Sequence, residues 1–292
     1  MRILITGGLG YIGGYLAKEL KRDGHDVILL DTLFNAAWNA NEFNEFGIMR
    51  DSVTNIDVVS RALKGVDVVY HLAARMDWSQ AFRHPIKLYR TNVLGTANVL
   101  TAARDAGVDQ VVVASSAAVY GNVDYADEDC LPMPINSYGC TKLAMEAVCR
   151  DFGIMGLNVV VLRFFNVWGG MVSRSVVNKF VDGHSSIYGD GGQTRDFVYI
   201  GDVISALMQA RLWDPLIYNI GTGVSISVQD LWSMIRTDKP ELEGLRSGQP
   251  EIYMSGADMD STYRRVPWRP KVMISELKKT DIIRLSLSES LD

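Results

Sequence analysis

The sequence predicts an α/β protein, a doubly wound parallel sheet followed by a smaller mixed α/β C-terminal lobe. Three observations carry that prediction. Short apolar runs alternate with amphipathic segments through the first half, a glycine-rich turn joins the first run to the first helix, and an acidic residue closes the second run.

The elements follow in order. Arg2–Thr6 is a buried-strand pattern, 11–23 reads as a helix, and Asp26–Asp31 (DVILLD) is a second strand. Residues 66–71 (VDVVYH) and 110–114 (QVVVA) are further strands, separated by a long helical pattern over 88–106. A helix over 137–153 and a strand over 158–163 (NVVVLR) complete the series. The strands are continuous Val/Ile/Leu runs, as required when helices cover both faces of a parallel sheet. After Phe164 the pattern loosens at Gly169-Gly170, at the Tyr188–Gly192 loop and across 240–270. The expected division is a core over 1–165 and a smaller lobe over 166–292, with segments near 195–225 returning to the core.

Composition narrows the functional classes. With 292 residues, 48% hydrophobic and 22% charged, the chain is an ordinary globular protein that can bury a sizeable core. A net charge of -5 and a pI near 5.4 argue against a nucleic-acid partner. Cys130, Cys140 and Cys149 form no CxxC pair, so neither a disulfide framework nor a zinc site is indicated. The histidines His25, His71, His84 and His184 show no metal spacing, and His71, ending an apolar strand, reads as structural. Trp213, Trp232 and Trp268 read as packing residues. Arg2-Ile3-Leu4-Ile5 runs directly into glycines without resembling a signal peptide, and no stretch of about twenty apolar residues spans a membrane. The expected setting is the cytoplasm.

The turn Thr6-Gly7-Gly8-Leu9-Gly10-Tyr11-Ile12-Gly13 lies between a strand and a helix. In that context Gly7 makes the tight turn, Gly10 admits a pyrophosphate close to the backbone, and Gly13 lets helix and strand pack together. Asp31 then accepts the ribose hydroxyls of an adenosine, and its charge repels a 2′-phosphate, so NAD is favoured over NADP. A turn cap is the competing role for Asp31. Asp51 either holds the adenine amino group or is a surface loop residue.

Tyr138 and Lys142 stand four apart in a helical segment and share a face. A tyrosine serves as acid or base near neutral pH only when its phenolate is stabilised, and a nearby ammonium does that. Ser116, just past the strand over 110–114, supplies a hydroxyl to the same reacting oxygen.

These motifs, with HLAA (71–74), TNVLGT (91–96), SSAAVYG (115–121), YGCTK (138–142), RFFNVWG (163–169), YGDGGQTRDFVYIGDV (188–203) and YNIGTG (218–223), resemble those of the extended short-chain dehydrogenases/reductases. Within them the sequence is most similar to the NAD-dependent sugar-nucleotide epimerases/dehydratases, with UDP-glucose 4-epimerase the nearest type, over residues 1 to about 270. The resemblance implies a Rossmann core holding NAD and a lobe binding a nucleoside-diphosphate sugar, UDP-sugars being favoured. It makes Tyr138 the acid/base, Lys142 the ligand of the nicotinamide ribose, and Ser116 their assistant. It places Tyr11 and Ile12 at the pyrophosphate, Asp51 and Ser52 at the adenine, and Asn35, Leu72, Ala73, Ala74, Asn92, Ser115 and Phe165 along the cofactor. Substrate positions are Met76, Ser116, Asn166, Val176, Tyr188, Arg195 and Arg246. The arginines suit a diphosphate because a guanidinium bonds two oxygens at once, although Arg195 has a structural ion pair with Asp196 or Asp202 as its alternative. By the same resemblance the helices over 88–106 and 137–152 form the four-helix bundle of a homodimer.

Dehydratases and decarboxylases of this family carry acidic residues where this chain has Ala117 and Ala118. Methyl groups supply no acid or base for elimination. The implied reaction is therefore NAD-dependent epimerisation at C4 of a UDP-hexose through a 4-keto intermediate. A 4-ketosugar reductase or another sugar-nucleotide dehydrogenase uses the same three residues, and an NAD-sensing regulatory protein is the non-enzymatic alternative. Two features depart from the epimerase pattern. The segment after Gly169 is short, running from Gly170 to Ser173-Arg174-Ser175, and Met76-Asp77-Trp78 follows HLAA, where Trp78 either stacks on a sugar or fills a gap.

Overall fold

A computed structural model describes residues 1–76, 85–244 and 250–291. Asp77, Trp78, His84 and Arg246 lie outside them.

The first strand, β1 (Arg2–Thr6), pairs in parallel with β2 (Asp26–Asp31) on one side and β4 (Val68–His71) on the other. With β3 (Gly47–Arg50), β5 (Gln110–Ser116), β7 (Val159–Phe164) and β11 (Ile217–Ile220) they form one seven-stranded sheet, ordered β3-β2-β1-β4-β5-β7-β11. The order turns back at β1, between β2 and β4, the switch point at which a doubly wound sheet binds its ligand. Every residue of β4 and β7 is buried, the physical reason these strands lack polar alternation. Helices α1 (Tyr11–Arg22), α2 (Ile56–Ala62), α3 (Pro85–Tyr89), α4 (Gly95–Ala106) and α5 (Ser137–Ile154) fall between the strands along the chain. The pattern over 88–106 starts earlier, at Pro85, and passes through a π-helical turn, Arg90–Leu94, before Gly107 ends it in the left-handed conformation.

The chain divides into two compact units. The first comprises Met1–Ser115, Cys140–Leu162 and Leu207–Tyr218. Its core joins Leu4, Leu30, Val69, Val111 and Val113 of the sheet to Val99, Leu100 and Ala103 of α4 and Met145 and Cys149 of α5. Trp213 packs there against Tyr218, ring centroids 5.0 Å apart.

The second unit comprises Ser116–Gly139, Arg163–Ala206 and Asn219–Asp292. Its mixed sheet runs β12 (Ser225–Ser227), β10 (Thr194–Tyr199), β14 (Met254–Ala257), β6 (Val123–Ala126), with β8 (Asn166–Trp168) also on β10. A separate pair joins β9 (Ser186–Tyr188) to β13 (Glu241–Glu243). The later helices are α6 (Val176–Val181), α7 (Ile200–Ala210), which runs on into the first unit, α8 (Val228–Ile235), α9 (Asp260–Arg265) and α10 (Lys279–Leu287), of which α6, α8 and α10 pack together. Phe180 meets Trp232 edge-on at 4.9 Å, and the Trp268 indole donates to Asp202 O at 3.2 Å. The short segment after Gly169 docks on the C-terminal helix: Gly170 N–H donates to Leu285 O (2.8 Å), and the Asn178 amide donates to Gly170 O and Ser286 O. No described helix is long and apolar enough to cross a membrane.

Candidate active site

Within the first unit a cradle lies at the end of β1. Gly7 is left-handed (φ +70), and a Cβ there would lie 2.8 Å from Ala73 N. A Cβ on Gly13 would sit 2.2 Å from Gly7 O, so the first turn of α1 folds against the loop only without a side chain. Gly10 caps α1 with no side chain of its own, and the N–H groups of the helix's first turn lie at this end. These N–H groups, the open glycine surface and the positive end of the helix fit a pyrophosphate.

Asp31 fixes the loop's shape. Its Oδ2 accepts from Leu9 N (3.0 Å) and its Oδ1 from Leu33 N (2.8 Å), so it fills the turn-capping role. A carboxylate offers about four acceptor positions, so capacity for two ribose hydroxyls is left. Leu9 O is held in turn by Ala37 and Trp38 N–H, and Trp38 packs on Tyr15 at 4.9 Å. Asp51 N–H bonds Asp31 O (3.1 Å), while its carboxylate accepts from Ser52 N (2.7 Å) and from the Asn55 amide. Tyr11, Ile12, Leu72 and Ala73 are half-buried around the same loop, whereas Asn35, Ala74 and Met76 are exposed.

His71 has a buried structural setting. The Thr96 hydroxyl donates to Asn92 O (2.7 Å), so its lone pairs face His71 Nε2–H at 2.9 Å, and Nδ1 accepts from the Thr6 hydroxyl at 2.7 Å. This fixes the neutral tautomer. Burial, then the Lys142 charge, pushes its pKa down to about 3. Asn92 itself accepts from Arg75 N (2.8 Å) and donates to Arg75 O and Thr141 Oγ1, clamping the backbone that follows β4.

Lys142 is buried on α5, and its Nζ donates to Ala114 O at 2.7 Å. Burial pulls its pKa down to about 8, against the opposing pull of Cys149 and Glu146. Ser115, a candidate cofactor residue, donates its hydroxyl to Glu146 Oε1 at 2.5 Å. The sequence reading omitted Glu146. Its spacing, four residues beyond Lys142 and eight beyond Tyr138, marks one helical stripe and could have exposed it.

In the second unit, Ser116 Oγ accepts from Ala118 N (3.2 Å) and caps the 3-10 turn Ala117–Val119. It also bonds the Tyr138 hydroxyl. Burial pushes the Tyr138 pKa up to about 12, and the Ser116 bond works against that rise. Gly139 makes the approach possible: a Cβ there would lie 2.4 Å from Ala118 O. Tyr138 and Lys142, four residues apart on α5, project from one face. Phe165 is buried and stacks on Tyr120, whose hydroxyl joins Arg163 and Asn219. Asn166 is exposed on β8, and Val176 and Tyr188 are half-buried.

Arg195 is held by backbone carbonyls. Its guanidinium donates to Thr194 O (2.7 Å), Tyr253 O (3.2 Å) and Ile252 O (2.5 Å), with Glu251 at 3.9 Å. Asp196 is buried and accepts from Thr222 N, Thr222 Oγ1 and Gly223 N. Asp202 instead accepts from Lys271 and Val272 N–H. Among the described residues no group of His, Cys, Asp or Glu could hold a metal.

Residues 3–221 match the model of the NAD dependent epimerase/dehydratase family. A putative UDP-glucose 4-epimerase of Methanocaldococcus jannaschii is 32% identical, with 94% of this chain and 95% of that protein covered. UDP-glucuronic acid decarboxylase 1 of Danio rerio is 30% identical, with 96% and 71% covered. The Thermus thermophilus UDP-glucose 4-epimerase, solved in complex with NAD, superposes with a TM-score of 0.87 at 30% identity, covering 99% of this chain and 98% of that one.

Proposed function

The chain belongs to the NAD-dependent epimerase/dehydratase family and uses NAD, and from that premise we propose that it inverts C4 of a UDP-hexose through a 4-keto intermediate. The observation that carries this reading is the set Ser116, Tyr138 and Lys142 beside the buried methyl groups of Ala117 and Ala118. The set provides one proton-transfer group and no second acid or base for eliminating water.

When bound, NAD would supply a hydride acceptor for oxidation at C4 and a hydride donor for the reduction that follows. The chain's own residues manage the proton. Ser116 orients the C4 hydroxyl toward Tyr138, whose phenolate takes the proton during oxidation and whose hydroxyl returns it during reduction. A tyrosine with a pKa near 12 needs added positive charge to ionise near neutral pH, and the Lys142 ammonium one turn away supplies part of it. Gly7, Gly10 and Gly13, with the α1 N-terminus, hold the pyrophosphate, and Asp31 holds the adenosine ribose. Tyr11, Ile12, Asn35, Asp51, Ser52, Leu72, Ala73, Ala74, Asn92 and Phe165 belong to the same proposed cofactor site. Met76, Asn166, Val176, Tyr188, Arg195 and Arg246 belong to the sugar-nucleotide site, the arginines facing the diphosphate. Exposed Ile86, Tyr89 and Leu94 on the surface of α3 and the π-helical turn support a homodimer.

Tyr138→Phe is the direct test. NAD affinity measured by calorimetry stays unchanged, while turnover of UDP-glucose falls by about 10²–10⁴-fold, the usual contribution of a positioned proton-transfer group. Full turnover in the variant discards the mechanism.

A further inference from the structure

Helix α5 carries a buried acid for which the proposed reaction has no role. Glu146 is 5% exposed, Lys142 one turn before it is 3% exposed, and Ser115 opposite them is 3% exposed. Two consecutive residues of β5 hold the two side chains: Ala114 O accepts from Lys142 Nζ at 2.7 Å, and the Ser115 hydroxyl donates to Glu146 Oε1 at 2.5 Å. We propose that Glu146 is a positioning residue, a buried counter-charge clamped by Ser115 that keeps the Lys142 ammonium charged beside the reacting tyrosine.

The surroundings isolate that role. From β4, His71 faces Lys142 as a neutral imidazole, and from β5 come a carbonyl and a hydroxyl. From α4 and the turn before it come the neutral Thr96 and Asn92, the latter bonded to Thr141. On α5 itself, Tyr138 is a neutral phenol and Cys149 a thiol pushed up to about 12 by burial. Of the two acidic groups acting on Lys142, Cys149 is therefore uncharged near neutral pH, and the negative charge is that of Glu146. A buried ammonium without a partner loses its proton readily, since burial penalises the charged form. Once neutral, Lys142 no longer favours the Tyr138 phenolate.

The proposal rests on the epimerase reading, but its test does not need turnover. The full chain is labelled with [13Cε]lysine, the Lys142 signal is assigned with Lys142→Arg, and its titration is followed by NMR. The native midpoint lies near 8. Glu146→Gln, which keeps the shape, lowers it by about one pH unit, and Glu146→Asp, which keeps the charge, restores it. With UDP-glucose as substrate, the alkaline limb of the kcat profile moves down in step with the NMR midpoint. Should Glu146→Gln not fold, Ser115→Ala/Glu146→Leu replaces both partners by apolar groups and leaves neither unpaired, and it shows the same fall. An unmoved Lys142 midpoint in the variants overturns the proposal and leaves Glu146 a packing residue. Absence of turnover by the native protein on every UDP-sugar, with the midpoint shifted as stated, overturns the epimerase reading alone.

Discussion

Acidification should unlock the cofactor unit at His71. The native imidazole is buried between Thr6 and Thr96, with its pKa at about 3, whereas in the unfolded chain it returns to the ordinary 6.5. The unfolded chain therefore binds a proton below 6.5 that the native protein refuses until about 3. The stabilisation is fully present above 6.5 and is lost progressively as pH falls toward 3. At about 1.4 kcal/mol per pH unit, moving from pH 7 to pH 4.5 removes about 2.5 kcal/mol. Asp196 opposes this, because its carboxyl, raised to about 6 by burial, takes up a proton in the native state first and gains stability as pH falls from 6 toward 3.8. His71→Gln separates the two, since Asp196 is common to both proteins. Urea unfolding followed by tryptophan fluorescence at the two pH values gives the comparison. The native protein loses about 2.5 kcal/mol more than His71→Gln. Equal losses in the two proteins would falsify the buried-neutral assignment of His71.

Two further substitutions probe the cradle. Gly13→Ala forces a methyl to 2.2 Å from Gly7 O, which should cost about 1–3 kcal/mol of stability and weaken NAD binding at least about tenfold by calorimetry; unchanged affinity would show that the loop does not hold the pyrophosphate. Asp31→Asn keeps an acceptor for Leu9 or Leu33 but removes the charge, so NADP should gain about tenfold relative to NAD, and an unaltered ratio rules out the electrostatic origin of the preference.

Local pattern made the first unit readable. The strands Arg2–Thr6 and Asp26–Asp31 stand out as apolar runs because helices cover both their faces, and the Gly7/Gly10/Gly13 turn marks its own backbone geometry. Gly47–Arg50 does not stand out: it is an edge strand with two half-buried residues, Ile48 and Met49. The π-helical turn over Arg90–Leu94 leaves no mark on an apolar pattern that continues through it. Much of the second unit depends on pairings distant in sequence, such as Val123 with Ser255, between strands of three to six residues that carry no periodicity of their own. The same holds for side chains. Tyr138 and Lys142 declare themselves by spacing, but the turn of Ser115 toward Glu146, and of Arg195 toward carbonyls more than fifty residues away, follows from tertiary contact alone.

The central claim, that C4 is oxidised and then reduced by the same hydrogen, is tested most directly with UDP-[4-2H]glucose and no added NAD. The account predicts UDP-galactose that retains its deuterium at C4, formed until the two sugars reach equilibrium. Loss of deuterium to solvent, or product formed only as added NAD or NADH is consumed, would contradict it.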